Sequence, residues 1–280
     1  MRKQKERNSI VIIVAYVVLG IFSFMCIAPV VLMAVASFTD NDVLNLYGYT
    51  YFPQKWSLEA YEFLIKQGTV ISKSFLNSIL VTFMGTALGI MVTVLLAYTI
   101  SRKELVGRKL IMLFVFFTML FNGGMVPTYL MYTQIFHIKN TMWALLFPHL
   151  LVNGFNVLLV RTFFNENIPE VLLEAARIDG AGEISIFRNV VVPISKPILA
   201  TIGLLVGVGY WNDWYNGLLY LTNTKLFSLQ NYLNRILLDI QFMTQSMAGS
   251  AEAANALGKM PTITVRMAIA VIGILPLMII

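Results

Sequence analysis

The chain has 280 residues, 58% of them hydrophobic and only 12% charged, with a mean hydropathy of +0.76. Soluble domains carry about 25% charged residues and are less than half apolar, so a water-soluble globule is excluded and a membrane protein is indicated. The formal net charge of +6 does not point to nucleic acid, because no basic stripe interleaved with aromatics is present to grip a phosphate backbone, and the single cysteine, Cys26, excludes an intrachain disulfide and suggests no cysteine metal site.

Six apolar segments follow in chain order: 11–36, 73–100, 109–133, 142–163, 198–221 and 262–280. Each is long enough, at about 1.5 Å per helical residue, for about 30 Å of hydrocarbon. The first is preceded by Arg2, Lys3, Lys5 and Arg7, a start that resembles a signal peptide. The apolar run to about Ala36 is too long for one and no convincing cleavage site follows, so a retained span is expected. Arg102, Lys103, Arg108 and Lys109 fill the loop after the second span, and Arg161, Arg177, Arg188 and Lys196 surround the loop after the fourth. Cytoplasmic loops carry the excess of Lys and Arg. One orientation therefore puts the N-terminus and both loops inside, and six crossings return the C-terminus there.

The segments expected outside differ in character. Residues 37–72 hold Asp40, Asp42, Glu59 and Glu62 among Tyr47, Tyr49, Tyr51, Phe52 and Trp56. Residues 222–261 include the Ala-rich run SMAGSAEAANALGK, which reads as a helix packed on the outer face. Tyr and Trp near span ends most often anchor at the interface. The sixth span follows Pro261 and runs apolar to Ile280 with no terminating charge or Gly cap, and a missing C-terminal stretch is the expected reason. No repeat, low-complexity tract or linker breaks the chain, so the expectation is one all-α membrane domain of six helices.

The loop spanning 164–197 carries the most information. Pro169 fits the first turn of a helix, where a missing N–H is harmless, and Glu170 suits the positive end of the helix dipole. The helix runs through EVLLEAARID and stops at Gly180, which tolerates the left-handed conformation of a helix C-terminus. Val171, Leu172, Ala175 and Ile178 form one broad face, with Glu170, Glu174 and Arg177 on the other and Glu174 at pairing distance from Arg177. A second short helix begins near Glu183, packing Ile184, Phe187 and Val190 on one face, and Pro193 and Pro197 mark entry to the fifth span. The first helix suits docking in a partner's groove. A helix lying on lipid headgroups is the alternative on physical grounds alone.

The pattern Glu174-Ala175-Ala176, then Gly180, then Val190-x-Val192-Pro193, resembles the EAA loop of ABC importer permeases. Asp179, Ala181, Phe187 and Pro197 also fall where maltose-type carbohydrate permeases place Asp, Ala, Phe and Pro; Val190 and Val192 stand where Ile and Leu are usual. FNGGMVPTYL (121–130), NTMWALLFPHL (140–150) and GYWNDWYNGLLYL (209–221) are similar to MalG-type sugar permeases, in particular the branch assigned to complex or oligosaccharide uptake in Gram-positive bacteria. The resemblance implies a type I ABC importer permease architecture in a bacterial cytoplasmic membrane, a transport subunit that catalyses no reaction of its own. It implies that Glu174, Ala175, Ala176, Asp179 and Gly180 form a coupling helix docked in an ATPase subunit. It implies as partners a second homologous permease in a heterodimer, two ATPase subunits that bind ATP and Mg, and an extracytoplasmic sugar-binding protein. No Gly-Lys-Ser/Thr phosphate loop is present, so ATP hydrolysis belongs to a partner. Switching a two-state pathway from 1:99 to 99:1 takes about 5.5 kcal/mol of differential interaction, which requires an ordered joint.

For the substrate path, polar groups within spans tend to face a cavity. Asn122, Asn153, Asn156, Asn212 and Asp213 are the candidates, with Trp211, Trp214 and Tyr215 able to stack on sugar rings. Interhelical hydrogen bonding and interfacial anchoring explain the same residues equally well. His137 and His149 have no Cys or carboxylate at metal spacing, so no metal site is expected, and no nucleophilic or acid–base set is recognisable. The alternative within transport is a permease for a peptide or amino acid.

Overall fold

The computed structural model describes residues 2–66, 68–246 and 262–274. Its helices in chain order are α1 (Arg2–Ser37), α2 (Asn41–Tyr47), α3 (Glu59–Lys66), α4 (Gly68–Ser101), α5 (Arg108–Leu120), α6 (Met125–Leu130), α7 (Trp143–Leu146), α8 (Gly154–Asn167), α9 (Glu170–Ile178), α10 (Glu183–Ile186), α11 (Val192–Ile194), α12 (Lys196–Trp211), α13 (Tyr215–Tyr220), α14 (Leu229–Ser246) and α15 (Thr262–Ile274). Wider π-helical turns extend α6 over Met131–Ile135 and join α10 to α11 over Phe187–Val191. No strand is present among the described residues, in keeping with the all-α expectation.

Among the described residues two helices are long and apolar enough to cross a membrane, Ile12–Ser37 within α1 and Gly68–Ser101, and two bent pairs join them if each is one span. The segment 109–133 is not one helix. α5 ends at Leu120, and the chain re-forms a helix at Met125 after turning by 117°. Gly124 takes a φ of +83°, which a residue with a Cβ rarely adopts, and its N–H bonds the Asn122 side chain at 2.9 Å, which stabilises the break. The segment 142–163 is interrupted after α7, where Pro148 has no N–H to donate and His149 is left-handed, until Asn153 caps α8. The segment 198–221 divides into α12 and α13. The expected sixth segment is helical over Thr262–Ile274, while its last residues and most of the Ala-rich run lie outside the described residues.

The chain divides into two compact units, one of Met1–Thr69 with Arg235–Ile280 and one of Val70–Asn234. In the first, α15 packs against α1, α2 and α3. Phe38 stacks on Tyr61 with ring centroids 4.7 Å apart, the Tyr61 hydroxyl meets Ser37 Oγ at 2.8 Å, and Lys55 pairs with Asp40 at 2.6 Å. Residues 12–27 of α1 are all exposed.

In the second unit α4 is the spine. Its buried positions, Ser74, Ser78, Val81, Gly85, Gly89, Thr93, Val94, Ala97 and Ile100, recur every three or four residues and are mostly small. Side chains at that spacing share one helix face, and small ones admit close neighbours where lipid supplies no hydrophobic drive between helices. A Cβ added at Gly85 would lie 2.5 Å from the Tyr210 ring of α12, so the glycine is what lets the ring in. The Tyr210 hydroxyl donates to the Leu146 carbonyl at 2.7 Å, joining α12 to the end of α7. The core continues through Leu145, Val157, Val160, Ile186, Val191 and Ile202.

Candidate functional site: a braced helix and a set of helix breaks

The sequence of the 164–197 loop folds as two short helices held from behind. α9 begins at Glu170, with Pro169 as its extended N-cap residue (ψ 132°) rather than within the first turn, one position from the expectation. It ends at Asp179, whose N–H bonds the Ala175 carbonyl at 3.0 Å, and Gly180 follows with a φ of +82°. The left-handed residue turns the chain so that Ala181 N–H closes on the Ala176 carbonyl at 2.9 Å.

The two faces of α9 are sharply different. Leu173 is buried and Ala176 packs on the core, whereas Val171 is 71% and Ile178 86% exposed. Leu172, Glu174, Ala175, Asp179 and Gly180 are exposed as well. The broad apolar face read from the sequence thus points away from the chain's own core, and Leu173 with Ala176 faces inward instead. On α10 and the π-turn the expected face is borne out in part: Phe187 and Val190 pack against the core, whereas Ile184 is 84% exposed and Ile186, two residues on, is buried instead, with Val191 at the end of the π-turn buried as well.

Ionic contacts supply the rest of the support. Arg177 does not pair with Glu174, as its spacing suggested. Its Nη2 meets Glu183 at 2.9 Å and its Nη1 meets Glu104 at 3.0 Å, two carboxylates on the side where the helix is anchored. The Tyr98 hydroxyl donates to Glu183 Oε2 at 2.8 Å, and the Arg102 guanidinium donates both to that hydroxyl and to Glu183 at 3.3 Å. Lys103 pairs with Glu170 at 2.6 Å. The hydrogen bond from Tyr98, and behind it the charges of Arg177 and Arg102, hold the Glu183 carboxyl below the usual glutamate value. Its own backbone N–H, then Arg177, does the same for Glu104. A single exposed pair contributes little, but this network ties α4, the 102–107 loop, α9 and α10 at one place.

The residues proposed for a substrate path separate in the structure. Asn122 and Asp213 come together with His149, Tyr215 and Asn216 around a cavity of about 350 Å³. Asn153, Asn156, Trp211, Asn212 and Trp214 do not line it. Asn122, Asn153 and Asp213 each accept a backbone N–H at a helix break: from Gly124, from Phe155 at 2.9 Å, and from Asn216 at 3.1 Å. Asn156 is buried in α8, Asn212 is the exposed C-cap of α12, and Trp214 is 43% exposed. Trp211 is 4% exposed and packs edge-on against Phe75 with centroids 5.8 Å apart. Asn216, which the sequence reading passed over, donates to the Pro148 carbonyl at 3.0 Å and closes one wall of the cavity. Asn216 lies within α13, and an amide side chain inside an apolar helical run was the available signal. No cluster of metal-ligating side chains occurs among the described residues.

Comparison with known proteins gives these features a context. The family model described as "Binding-protein-dependent transport system inner membrane component" matches residues 85–280. The chain belongs to that family: it is a membrane transport component of the ABC importer permease class and not an enzyme. It is 33% identical to the polygalacturonan/rhamnogalacturonan transport system permease protein YtcP of Bacillus subtilis, over 98% of this chain and 93% of that one. It is 28% identical to the trehalose/maltose transport system permease protein MalG of Thermococcus litoralis, over 80% of each. A crystal structure of a bacterial ABC transporter involved in the import of the acidic polysaccharide alginate contains a similar chain, with a TM-score of 0.80, 29% identity, and coverage of 98% of this chain and 94% of that chain. The resemblance read from the EAA pattern and the span sequences is borne out.

Proposed function

We propose that this chain is one of two permease subunits of an ATP-driven importer of carbohydrate, oligosaccharide in particular, in a bacterial cytoplasmic membrane of the Gram-positive type. The similarity to permeases named for polygalacturonan/rhamnogalacturonan and for trehalose/maltose transport, the first over nearly the full chain, supports the sugar class. The chain crosses six times with both termini inside, provides half of the path, and works with a second, homologous permease, two ATPase subunits carrying ATP and Mg, and an extracytoplasmic sugar-binding protein. The substrate path takes in Asn122, Asn153, Asn156, Trp211, Asn212, Asp213 and Trp214.

One observation carries the mechanism: α9 turns an apolar face outward while ion pairs, not deep burial, hold its back. A helix anchored in that manner is a docking element, and Glu174, Ala175, Ala176, Asp179 and Gly180 form the contact with the ATPase. Closure of the ATPases moves α9, and the brace at Arg177, Glu183 and Arg102 passes the displacement to the end of α4.

The test is a pair of substitutions. Gly180→Pro imposes a negative φ where +82° is needed, and Glu174→Lys reverses a charge on the exposed face. Both should abolish sugar uptake and lower recovery of the ATPase with the affinity-purified chain. Normal uptake and normal ATPase recovery in both variants would refute the docking role.

A further inference from the structure

Behind α9 lies a cavity of about 460 Å³, bounded by the end of α4, the start of α5, the end of α8 and α9 itself. Its charged lining comprises Arg102, Lys103, Arg108 and Arg161 against Glu104, Glu166 and Glu170. Most of these are already matched. Lys103 is paired with Glu170, Glu104 with Arg177, and Arg102 with Glu183. Arg108 and Arg161 have no ion-pair partner among the described residues, and Glu166 is the one lining carboxylate left to set against them.

Two further observations point to a missing anion. Arg161 Nε is buried without a hydrogen-bond partner, which costs free energy that an oxygen ligand would recover. Arg108 stands near Lys103, whose ammonium is held charged chiefly by Glu170, so two cations share the cavity lining there with one carboxylate already committed. Directly after Arg108, Leu110, Leu113, Phe114 and Phe117 of α5 are each more than half exposed. Their spacing makes one continuous apolar stripe leading away from the arginine.

We propose that this cavity binds a singly charged phosphodiester, held by Arg108 and Arg161, and that its source is an anionic phospholipid whose acyl chains lie along the α5 stripe. One excess positive charge in the lining matches one phosphodiester charge, and guanidinium groups bind phosphate oxygens bidentately. The apolar stripe favours a lipid over a soluble phosphate compound. The placement at the inner membrane surface rests on the proposed orientation, whereas lipid retention is measured without reference to ATP coupling. Loss of either reading therefore leaves the other standing.

The full chain, purified in detergent with the subunits that accompany it, is titrated with dioleoylphosphatidylglycerol and, separately, with zwitterionic dioleoylphosphatidylcholine, and retention is read by native mass spectrometry. Phosphatidylglycerol should be retained preferentially, and Arg108→Gln with Arg161→Gln should reduce its retention about tenfold or more. The charge-keeping double variant Arg108→Lys with Arg161→Lys, which loses the bidentate fork, should fall between the original chain and the double Gln variant, which separates lost binding from lost folding. Lys109→Gln, outside the cavity lining, should change nothing. Equal retention of the two lipids, or undiminished retention in the double Gln variant, overturns the proposal. Displacement of phosphatidylglycerol by inorganic phosphate at equal concentration would assign the site to a soluble phosphate compound and overturn the lipid source.

Discussion

Arg177 shows how much a single side chain can decide at this site. Its guanidinium reaches Glu104 from one nitrogen and Glu183 from two others, at 2.9–3.2 Å. An alanine there leaves Glu183 with Tyr98 and Arg102, and exposed pairs contribute little to stability, so the fold survives. The expected loss is in coupling: Arg177→Ala in proteoliposomes should keep ATP hydrolysis while the sugar carried per ATP falls several-fold, and Arg177→Lys, which keeps the charge but not the fork, should fall between. An unchanged transport-to-hydrolysis ratio in Arg177→Ala would show that the brace is not part of the transmission. The sequence made Arg177 visible as a charged helical residue but assigned it to Glu174, because i,i+3 spacing is local and Glu104 lies 73 residues away. The positions of the EAA pattern were legible for the opposite reason. They depend on a short run whose spacing repeats across a family.

At the scale of elements, α4 is governed by what its small residues admit. Gly85 accepts the Tyr210 ring and Gly89 lies opposite Val206, so α4 and α12 approach closely along one face. Gly85→Leu must displace a ring fixed by its hydrogen bond to Leu146, and overpacking of this type costs about 1–3 kcal/mol or more. Gly20, with nothing within 4 Å of an added Cβ, is the control. Thermal unfolding of the detergent-solubilised chain should drop clearly for Gly85→Leu and stay in place for Gly20→Leu. Equal midpoints would mean that the α4–α12 contact contributes little. The Ser, Gly and Thr positions were present in the sequence at helical spacing, yet hydropathy averaging hides them, since it registers apolarity and not which face is buried. The same averaging ran through the breaks at 121–124, 147–153 and 212–214. There the apolar composition continues, but Gly124, Pro148 and the capping side chains of Asn122, Asn153 and Asp213 end the hydrogen-bond ladder.

Over the whole molecule, composition and charge distribution were enough for the class, because a lipid-facing surface removes the polar exterior that every soluble domain needs. The continuity of α1 and α4 agrees with the hydropathy of their segments, while the bent elements that follow α4 are visible only in the structure. The first helix has a consequence of its own. Residues 12–27 are all exposed, so no described residue buries them. Replacing them in blocks by leucine should therefore leave the thermal unfolding of the solubilised chain within about 0.5 kcal/mol of the original. A larger destabilisation would show that these side chains hold the chain together in a way the exposed surface does not reveal. Freed from the demands of its own fold, that stretch of sequence answers only to its surroundings. Substitution by substitution, its preferences would amount to an imprint of whatever lies beside it, whether a second polypeptide or the disordered tails of the bilayer.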